Sequence, residues 1–285
     1  MLIAAFEGWN DAGDGASDAA GYLARRWGAQ PFASIDPEEF YDFTSTRPEV
    51  RLEGGLTRAL DWPENTFSWA PLGGTGRDVV LLRGVEPQLR WRTFASLVME
   101  VATALGVELV LTLGALLAEV PHTRPVRVMG TAANQDLITR FDLRPSRYEG
   151  PTGILGVLQD AVARAGIPAA SLWASVPAYV GQTPSPKATL ALVTRLAELL
   201  DVDVPTVDLD VAAAAYERQV DEVVAADEDA SAYVRSLEEV ADTEYRFGED
   251  ELEDIDDEID PADLPGADAL AAEVERFLRD QGSAP

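Results

Sequence analysis

The chain has 285 residues and a mass of 30.7 kDa, and its 50 acidic residues against 22 basic residues give it a net charge of −28. It contains one histidine and no cysteine, which excludes thiol catalysis, disulfide bonds, iron–sulfur clusters and zinc sites built from cysteines or paired histidines. We therefore expect no metal and no cofactor. The strong negative charge also makes nucleic acid and anionic membrane surfaces poor partners.

The pattern of apolar residues predicts alternating strands and helices over the first 200 residues. Short apolar runs predict strands at residues 1–6, 32–35, 50–52, 66–72, 78–85, 107–113, 126–130 and 171–176. Apolar residues at helical spacing predict helices that end near Trp27, Gly106 and Gly166, and another that begins after Ser185. Strands separated by helices of this length indicate an α/β domain with a largely parallel or mixed central sheet covered by helices.

Acidity is concentrated in the C-terminal third of the chain. Residues 1–200 carry 22 acidic and 17 basic residues, whereas residues 201–285 carry 28 and 5. We divide the chain into an α/β domain (1–205), an acidic helical extension (206–241), a flexible acidic linker (242–267) and a short amphipathic helix with a tail (268–285). The apolar stretches are too short to span a bilayer and no basic leader precedes the first strand, so we expect a cytoplasmic protein.

The loop after the first predicted strand carries informative polar residues. Its candidate residues are Gly8, Trp9, Asn10, Asp11 and Gly13. They lie at the end of a strand and before a helix, where α/β folds place ligand sites. In one interpretation, Asp11 or Asp14 caps the helix and the glycines form the turn. In the other, Asn10 and Asp11 belong to a binding or catalytic site.

Two other glycine-containing segments resemble phosphate-binding loops but lack the required context. Residues 72–77 precede a strand, whereas a dinucleotide-binding loop follows a strand and opens a helix, so we predict a hairpin turn there. Gly150, Gly153 and Gly156 precede a helix without the Gly-x-Gly spacing, which predicts close packing at a helix N-terminus.

His122 is the only imidazole in the chain, and it stands with Arg124 in a turn bounded by prolines. A lone histidine in such a turn is more often structural. The alternative is that His122 acts as a general base beside an arginine that orients an anion. Asp11 would belong to the same site if the two loops converge.

Several segments are informative in combination. They are residues 8–13, residues 35–43 with Arg47 and Pro48, residues 84–87 with Trp91, residues 113–115, residues 121–125 and residues 184–188. Together they resemble the proteasome assembly chaperone family, in its bacterial, actinobacterial-like branch and in the group akin to the second of the paired eukaryotic chaperones. The resemblance adds Glu86 and Lys187 to the motif residues. The ratio of 21 arginines to one lysine fits a high-GC genome such as that of an actinobacterium.

The resemblance implies a three-layer α/β/α fold with a mixed central sheet, similar to nucleoside phosphorylases and peptidyl-tRNA hydrolases. It also implies a homo-oligomer such as a trimer, and proteasome subunits or another protein complex as partners. Family chaperones often dock on proteasome rings through a C-terminal tail of a hydrophobic residue, tyrosine and any residue. This sequence ends in Gly282-Ser283-Ala284-Pro285, so we do not expect docking by that route.

Our leading hypothesis is a non-enzymatic interaction protein that self-associates through its α/β domain and assists the assembly of a protein complex. The alternative is a small-molecule hydrolase or phosphorylase-like enzyme with a pocket at the strand ends, in which Asp11, His122 and Arg124 are catalytic. A third interpretation makes the C-terminal third an intramolecular lid or an oligomer arm.

Overall fold

The computed structural model describes residues 1–53, 57–181 and 183–247, and the described residues form a helix-covered mixed sheet. The strands are β1 (Leu2–Glu7), β2 (Gln30–Ile35), β3 (Glu49–Glu53), β4 (Thr57–Asp61), β5 (Asn65–Leu72), β6 (Arg77–Val85), β7 (Val110–Ala118), β8 (Val128–Ala132) and β9 (Ala169–Pro177). The helices are α1 (Gly15–Arg26), α2 (Trp91–Ala104), α3 (Gln135–Phe141), α4 (Ile154–Arg164), α5 (Pro186–Leu200), α6 (Val207–Ala225) and α7 (Glu228–Phe247).

Seven of the strands form one sheet in the order β2-β5-β6-β1-β7-β9-β8. The four central strands β6, β1, β7 and β9 are parallel to one another, whereas β5 and then β2 on one side, and β8 on the other, pair antiparallel. The sheet is therefore mixed, as predicted. β5 and β6 form an antiparallel hairpin across residues 72–77, which confirms the predicted turn.

Two hydrophobic cores cover the two faces of this sheet, because successive side chains in a strand point to opposite sides. In β1, Leu2, Ala4 and Phe6 face the core under α2 and α4, whereas Ile3 and Ala5 face the core under α1 and α5. Each of these five residues is buried. The predicted α/β fold with helices on both sides of a mixed sheet is thus confirmed.

The acidic helices α6 and α7 have a small core of their own. Tyr216, Val220 and Val234 are buried there against Tyr179 and Val180, which follow β9. α6 also packs along α5. The two helices are therefore layered on the α/β domain. α7 continues to Phe247, so the linker boundary predicted at residue 242 falls within a helix. The remaining part of the predicted linker and the predicted helix and tail at 268–285 lie outside the described residues.

The predicted strand at 107–113 begins later in the structure, at Val110. The N–H of Val107 donates to the carbonyl of Ala102 at 2.9 Å and so closes the end of α2. Val107, whose β-branched side chain favours a strand, therefore belongs to the C-terminal cap of α2. The strand predicted at 126–130 is likewise shifted, to Val128–Ala132.

Two elements have no counterpart among the sequence predictions. β4 completes a hairpin with β3, and α3 is a helix of seven residues. The side chain of Asn134 caps α3 by accepting from the N–H groups of Asp136 and Leu137, at 2.8 and 3.2 Å. In the described part of the chain, no helix is both long enough and apolar enough to cross a membrane.

Candidate functional site

The residues selected from the sequence lie at one edge of the central sheet. β1, β6, β7 and β9 run parallel, so the loops that follow them emerge at the same edge. Gly8 to Gly13 follow β1, Glu86 follows β6, and His122 and Arg124 follow β7. Lys187 lies in the first turn of α5, which follows β9. Within this edge the residues separate into two groups, which we call the β1 loop and the extension anchor.

In the β1 loop, which comprises residues 8–14, the carboxylate of Asp11 caps α1. Its Oδ1 accepts from the backbone N–H groups of Ala16 at 2.7 Å and Ser17 at 3.1 Å. Capping is the first of the two interpretations offered above. Asp14 makes no side-chain capping bond and lies in the left-handed region with a φ of 52°. Gly13 also lies in the left-handed region, with a φ of 56°, and its N–H donates to the carbonyl of Gly181.

Burial sets the electrostatics of Asp11. The residue is 5% exposed, and loss of solvation raises the pKa of its carboxyl to about 6, although the two backbone N–H donors act in the opposite direction. Within the described residues, Oδ2 of Asp11 is buried and has no hydrogen-bond partner. The pKa of Glu7, at the end of β1, is also raised, mainly by burial and then by the negative charges of Asp14 and Asp18.

Glu86 connects the β1 loop to the other side of the sheet. Its Oε1 accepts from the N–H of Ile154 at 2.8 Å and so caps α4. Gly153 permits this contact, because a Cβ at that position would lie 2.0 Å from Oδ1 of Asn10 and 2.7 Å from Oε1 of Glu86. The close packing predicted around Gly153 is thus present. Trp9, also in the β1 loop, leaves 49% of its surface exposed.

The extension anchor comprises His122, Arg124 and Lys187 of the α/β domain with their acidic partners on α6 and α7. Lys187 donates to the carbonyls of His122 and Arg124 and forms an ion pair with Glu217 on α6. Its side chain is only 14% exposed. Lys187 therefore holds the turn after β7 and the acidic helix α6 at the same point.

His122 contributes a second connection to α6. Its Nε2 lies 3.0 Å from Oδ1 of Asp221, and its Nδ1 lies 2.7 Å from the hydroxyl of Tyr179. A carboxylate only accepts, so we place the proton of the neutral ring on Nε2. Nδ1 then accepts from the Tyr179 hydroxyl, whose oxygen accepts from the backbone N–H of His122 at 2.8 Å.

The charge state of His122 follows from its burial. Loss of solvation lowers the pKa of the imidazole, and Lys187 acts in the same direction, whereas Asp221 and Glu217 oppose the shift. Burial likewise raises the pKa of the Tyr179 hydroxyl. Both groups are therefore neutral near pH 7. A neutral, fully hydrogen-bonded histidine positions α6 and has its two nitrogen atoms occupied.

Arg124 connects the domain to α7. Its Nε and one terminal nitrogen donate to the two carboxylate oxygens of Asp242 at 2.8 and 2.9 Å, and its other terminal nitrogen donates to Glu238 at 3.1 Å. The two acidic residues raise the pKa of the guanidinium, Asp242 more strongly. Thr123 also donates to Glu238. The turn at residues 121–125 thus contacts both helices of the extension.

The structure does not join Asp11 to His122. Among the described residues, no hydrogen bond or ion pair links the β1 loop carboxylate to this imidazole. Two shallow depressions lie elsewhere, along the C-terminal half of α5, and neither is lined by Asp11 or His122. In the same described ranges, no group of three histidine, aspartate or glutamate side chains is arranged to hold a metal ion.

The residues that complete the extension anchor were not selected from the sequence. They are Tyr179, Glu217, Asp221, Glu238 and Asp242. Each acidic partner follows its basic residue by 30 or more positions. The sequence offers one signal for these acidic residues, which is that they lie beside the apolar stripes of α6 and α7. Because the whole region is acidic, this signal does not distinguish them from their neighbours.

The fold and these contacts define a class of protein: a three-layer α/β/α domain whose strand-end loops hold an acidic helical extension. The chain belongs to the PAC2 family, which it matches over residues 5–224. No curated protein matches the chain.

Comparison with solved structures also supports membership of this family. A PAC2 family protein from Streptomyces avermitilis is 51% identical, with a TM-score of 0.76 over 82% of this chain and 98% of that one. A proteasome-assembly chaperone homologue from Mycobacterium tuberculosis is 50% identical, with a TM-score of 0.74 over 82% of this chain and 99% of the other. An archaeal proteasome activator from Pyrococcus furiosus shares the fold, with a TM-score of 0.63 at 18% identity over 78% of this chain and 92% of its own. The family resemblance is thus confirmed.

Proposed function

We propose that this protein is a non-enzymatic assembly chaperone that acts as a homo-oligomer and binds free proteasome subunits of its host. The observation that carries the proposal is its 50% identity to the mycobacterial proteasome-assembly chaperone homologue, which extends over 82% of this chain. Its membership of the PAC2 family supports the same role. The cytoplasmic location remains a prediction.

The extension anchor supports a binding role over a catalytic one. A general base needs a nitrogen that can reach substrate, and both ring nitrogens of His122 contact protein groups. The guanidinium of Arg124 donates two hydrogen bonds to the carboxylate of Asp242, so these donors are not free to bind an anionic substrate. The side chains that would have performed chemistry instead fix α6 and α7 on the domain.

The extension also supplies a surface suited to a basic partner. Residues 206–247 contain 12 acidic and 3 basic residues. The anchor uses some of these acids, and others, such as Glu222 and Glu239, are exposed on the outer faces of α6 and α7. A field of one sign accelerates encounter with an oppositely charged surface and discourages like-charged partners. The partner surface is therefore expected to carry lysine and arginine.

Native mass spectrometry of the full-length protein, alone and mixed with the proteasome subunits of its own organism, tests the proposal. We expect a discrete homo-oligomer that captures free subunits and releases finished particles. The double variant Glu222→Arg/Glu239→Arg should weaken capture at least tenfold. The matched variant Glu100→Arg/Glu108→Arg, which reverses two exposed charges away from the extension, should not. An oligomer that ignores free subunits would refute the assembly role.

One observation favours the enzymatic alternative. Asp11 is a buried carboxyl group with a pKa raised to about 6, and one of its oxygens has no hydrogen-bond partner in the described part of the chain. If a small molecule copurified with the wild-type protein and was lost from Asp11→Asn, the β1 loop would become the candidate active site. The same mass spectra report this result, because a bound small molecule adds a fixed mass to each chain.

A further inference from the structure

The β3–β4 hairpin has one largely apolar face, on which Arg58 lies opposite Leu52, and one charged face. Val50 lies directly opposite Leu60, and Leu52 follows two positions further along β3, so the three side chains share a face. The opposite face carries Arg51, which pairs with Asp61. In most proteins, strands with this alternation bury their apolar face, and that burial fixes the register of strand pairing.

Within the described ranges, the apolar face of this hairpin is uncovered. Val50, Leu52 and Leu60 expose 56%, 65% and 53% of their surfaces. β3 and β4 pair only with each other in the described residues and form a sheet separate from the central one. An isolated two-stranded hairpin is marginally stable in water, so this one gains stability if another surface covers it.

The base of the hairpin is fixed to the domain, which makes the hairpin a defined surface. Trp62, just after β4, packs edge to face on Phe43 with 4.9 Å between ring centroids. Phe43 in turn packs against the core under α2 and α4. On the side of that core, Phe32 and Trp69 are 44% and 45% exposed along the outer strands β2 and β5. Aromatic residues of this kind are enriched at protein interfaces.

Charge identifies the partner. The segment 47–61 contains three arginines and three acidic residues and is therefore neutral, although the whole chain has a net charge of −28. Most of that acidic excess lies beyond residue 200, so two copies repel each other most strongly through this part of the chain, and the repulsion is least where a surface is neutral and apolar. A basic partner, by contrast, would select an acidic surface such as that of α6 and α7.

We propose that the apolar face of the β3–β4 hairpin, formed by Val50, Leu52 and Leu60, packs against a second copy of this chain. The hairpin alone is smaller than a stable interface of about 800 Å² per partner. We expect the exposed aromatic residues Trp62, Phe32 and Trp69 to contribute the remaining contact area. This inference rests on the homo-oligomeric part of the proposed function and assigns it a surface.

Mass measurement of paired variants tests this surface. Light scattering should give wild-type protein a mass that is a multiple of 30.7 kDa. Leu52→Glu/Leu60→Glu should lower it to a smaller multiple, with at least a tenfold loss of self-affinity. The control Val207→Glu/Val211→Glu adds the same charge at apolar residues of α6 that are 74% and 65% exposed, and it should keep the wild-type mass. A wild-type monomer at tens of micromolar, or an unchanged mass in the hairpin variant, would overturn the proposal.

The absence of native cysteine allows a second, independent test. A photo-reactive benzophenone attached to Leu60→Cys should produce a covalent species of two chains on illumination, whereas the same probe on Val211→Cys should not. Equal crosslinking at both positions, or none at Leu60→Cys, would count against the hairpin. Because both tests use this chain alone, an oligomer formed through the hairpin that ignores proteasome subunits would refute the proposed function and leave this inference standing.

Discussion

His122 and Asp221 are 99 residues apart in the sequence, and Nε2 of the imidazole lies 3.0 Å from Oδ1 of the carboxylate. This contact joins the turn after β7 to the acidic helix α6. It uses the one histidine of the chain in its neutral form, because burial lowers the pKa of that imidazole. The docking of the extension is therefore coupled to pH.

The sign of this coupling follows from the two protonation equilibria. His122 has a lower pKa in the folded state than its ordinary value of about 6.5, so below that pH the unfolded chain binds a proton that the folded chain does not. We expect the contribution of His122 to the free energy of unfolding to decrease as the pH falls from 7.5 to 5.5, and amide exchange in α6 to accelerate. Hydrogen exchange with mass spectrometry at the two pH values measures the local effect. His122→Gln should remove the pH-dependent part, and a variant that retained it would assign the effect to another group.

Asp11 should produce a pH dependence of the opposite sign. Its folded pKa of about 6 exceeds the ordinary aspartate value of about 3.9, so the folded state holds a proton that the unfolded state releases between these values. Relative to Asp11→Asn, the wild-type protein should lose up to about 3 kcal/mol of unfolding free energy as the pH rises from 4 to 7. Urea unfolding of both proteins across this range measures the difference. A constant difference would show that the carboxyl group is not buried in solution.

The central sheet could be predicted because its signals are local. The run Val79, Val80, Leu81 and Leu82 is apolar on both faces, and such a run fits a strand covered by two helical layers. The loop after β1 was correctly placed at the strand ends for the same reason. The position of His122 after a strand and that of Lys187 at the start of a helix could also be predicted from the chain order.

The extension anchor could not be derived, because its pairs depend on tertiary packing. Arg124 and Asp242 are separated by 118 positions, and nothing in the acidic region distinguishes Asp242 from its neighbours. β4 was missed because its one strongly apolar residue, Leu60, stands among polar residues and does not form a continuous run. In the structure Leu60 is exposed, and it belongs to the proposed interface.

Gly153 should tolerate no side chain, because a Cβ at this position would overlap the side chains of Asn10 and Glu86. A Cβ there would lie 2.0 Å from Oδ1 of Asn10 and 2.7 Å from Oε1 of Glu86. Gly153→Ala should therefore lower the free energy of unfolding by more than about 2 kcal/mol and weaken the cap on α4. Gly73→Ala is the control, since no atom lies within 4 Å of its Cβ position. Thermal unfolding compares the two, and equal losses would mean that the Asn10 and Glu86 side chains move freely aside.

Lys187 should be required for the docking of α6. Lys187→Met retains most of the length of the side chain but leaves Glu217 and the carbonyls of His122 and Arg124 without their shared donor. Losing hydrogen bonds from a charged, largely buried group costs about 2 to 4 kcal/mol. Amide exchange should accelerate in α6 and α7 while the central strands remain protected. If protection in α6 persisted, the apolar contacts around Val220 would suffice to hold the extension.

Arg124 should control α7 more selectively, and the conservative replacement provides the sharper test. Arg124→Lys preserves the charge but cannot reproduce the two parallel hydrogen bonds to Asp242, which require the planar guanidinium. We therefore expect faster amide exchange in α7 for Arg124→Lys, nearly as fast as for Arg124→Ala, with α6 unchanged because Lys187 and His122 still hold it. Added salt should accelerate exchange in wild-type α7 as well, since this half-exposed ion pair is screened. Full retention of protection in Arg124→Lys would show that the positive charge alone, and not the planar geometry of the guanidinium, positions α7.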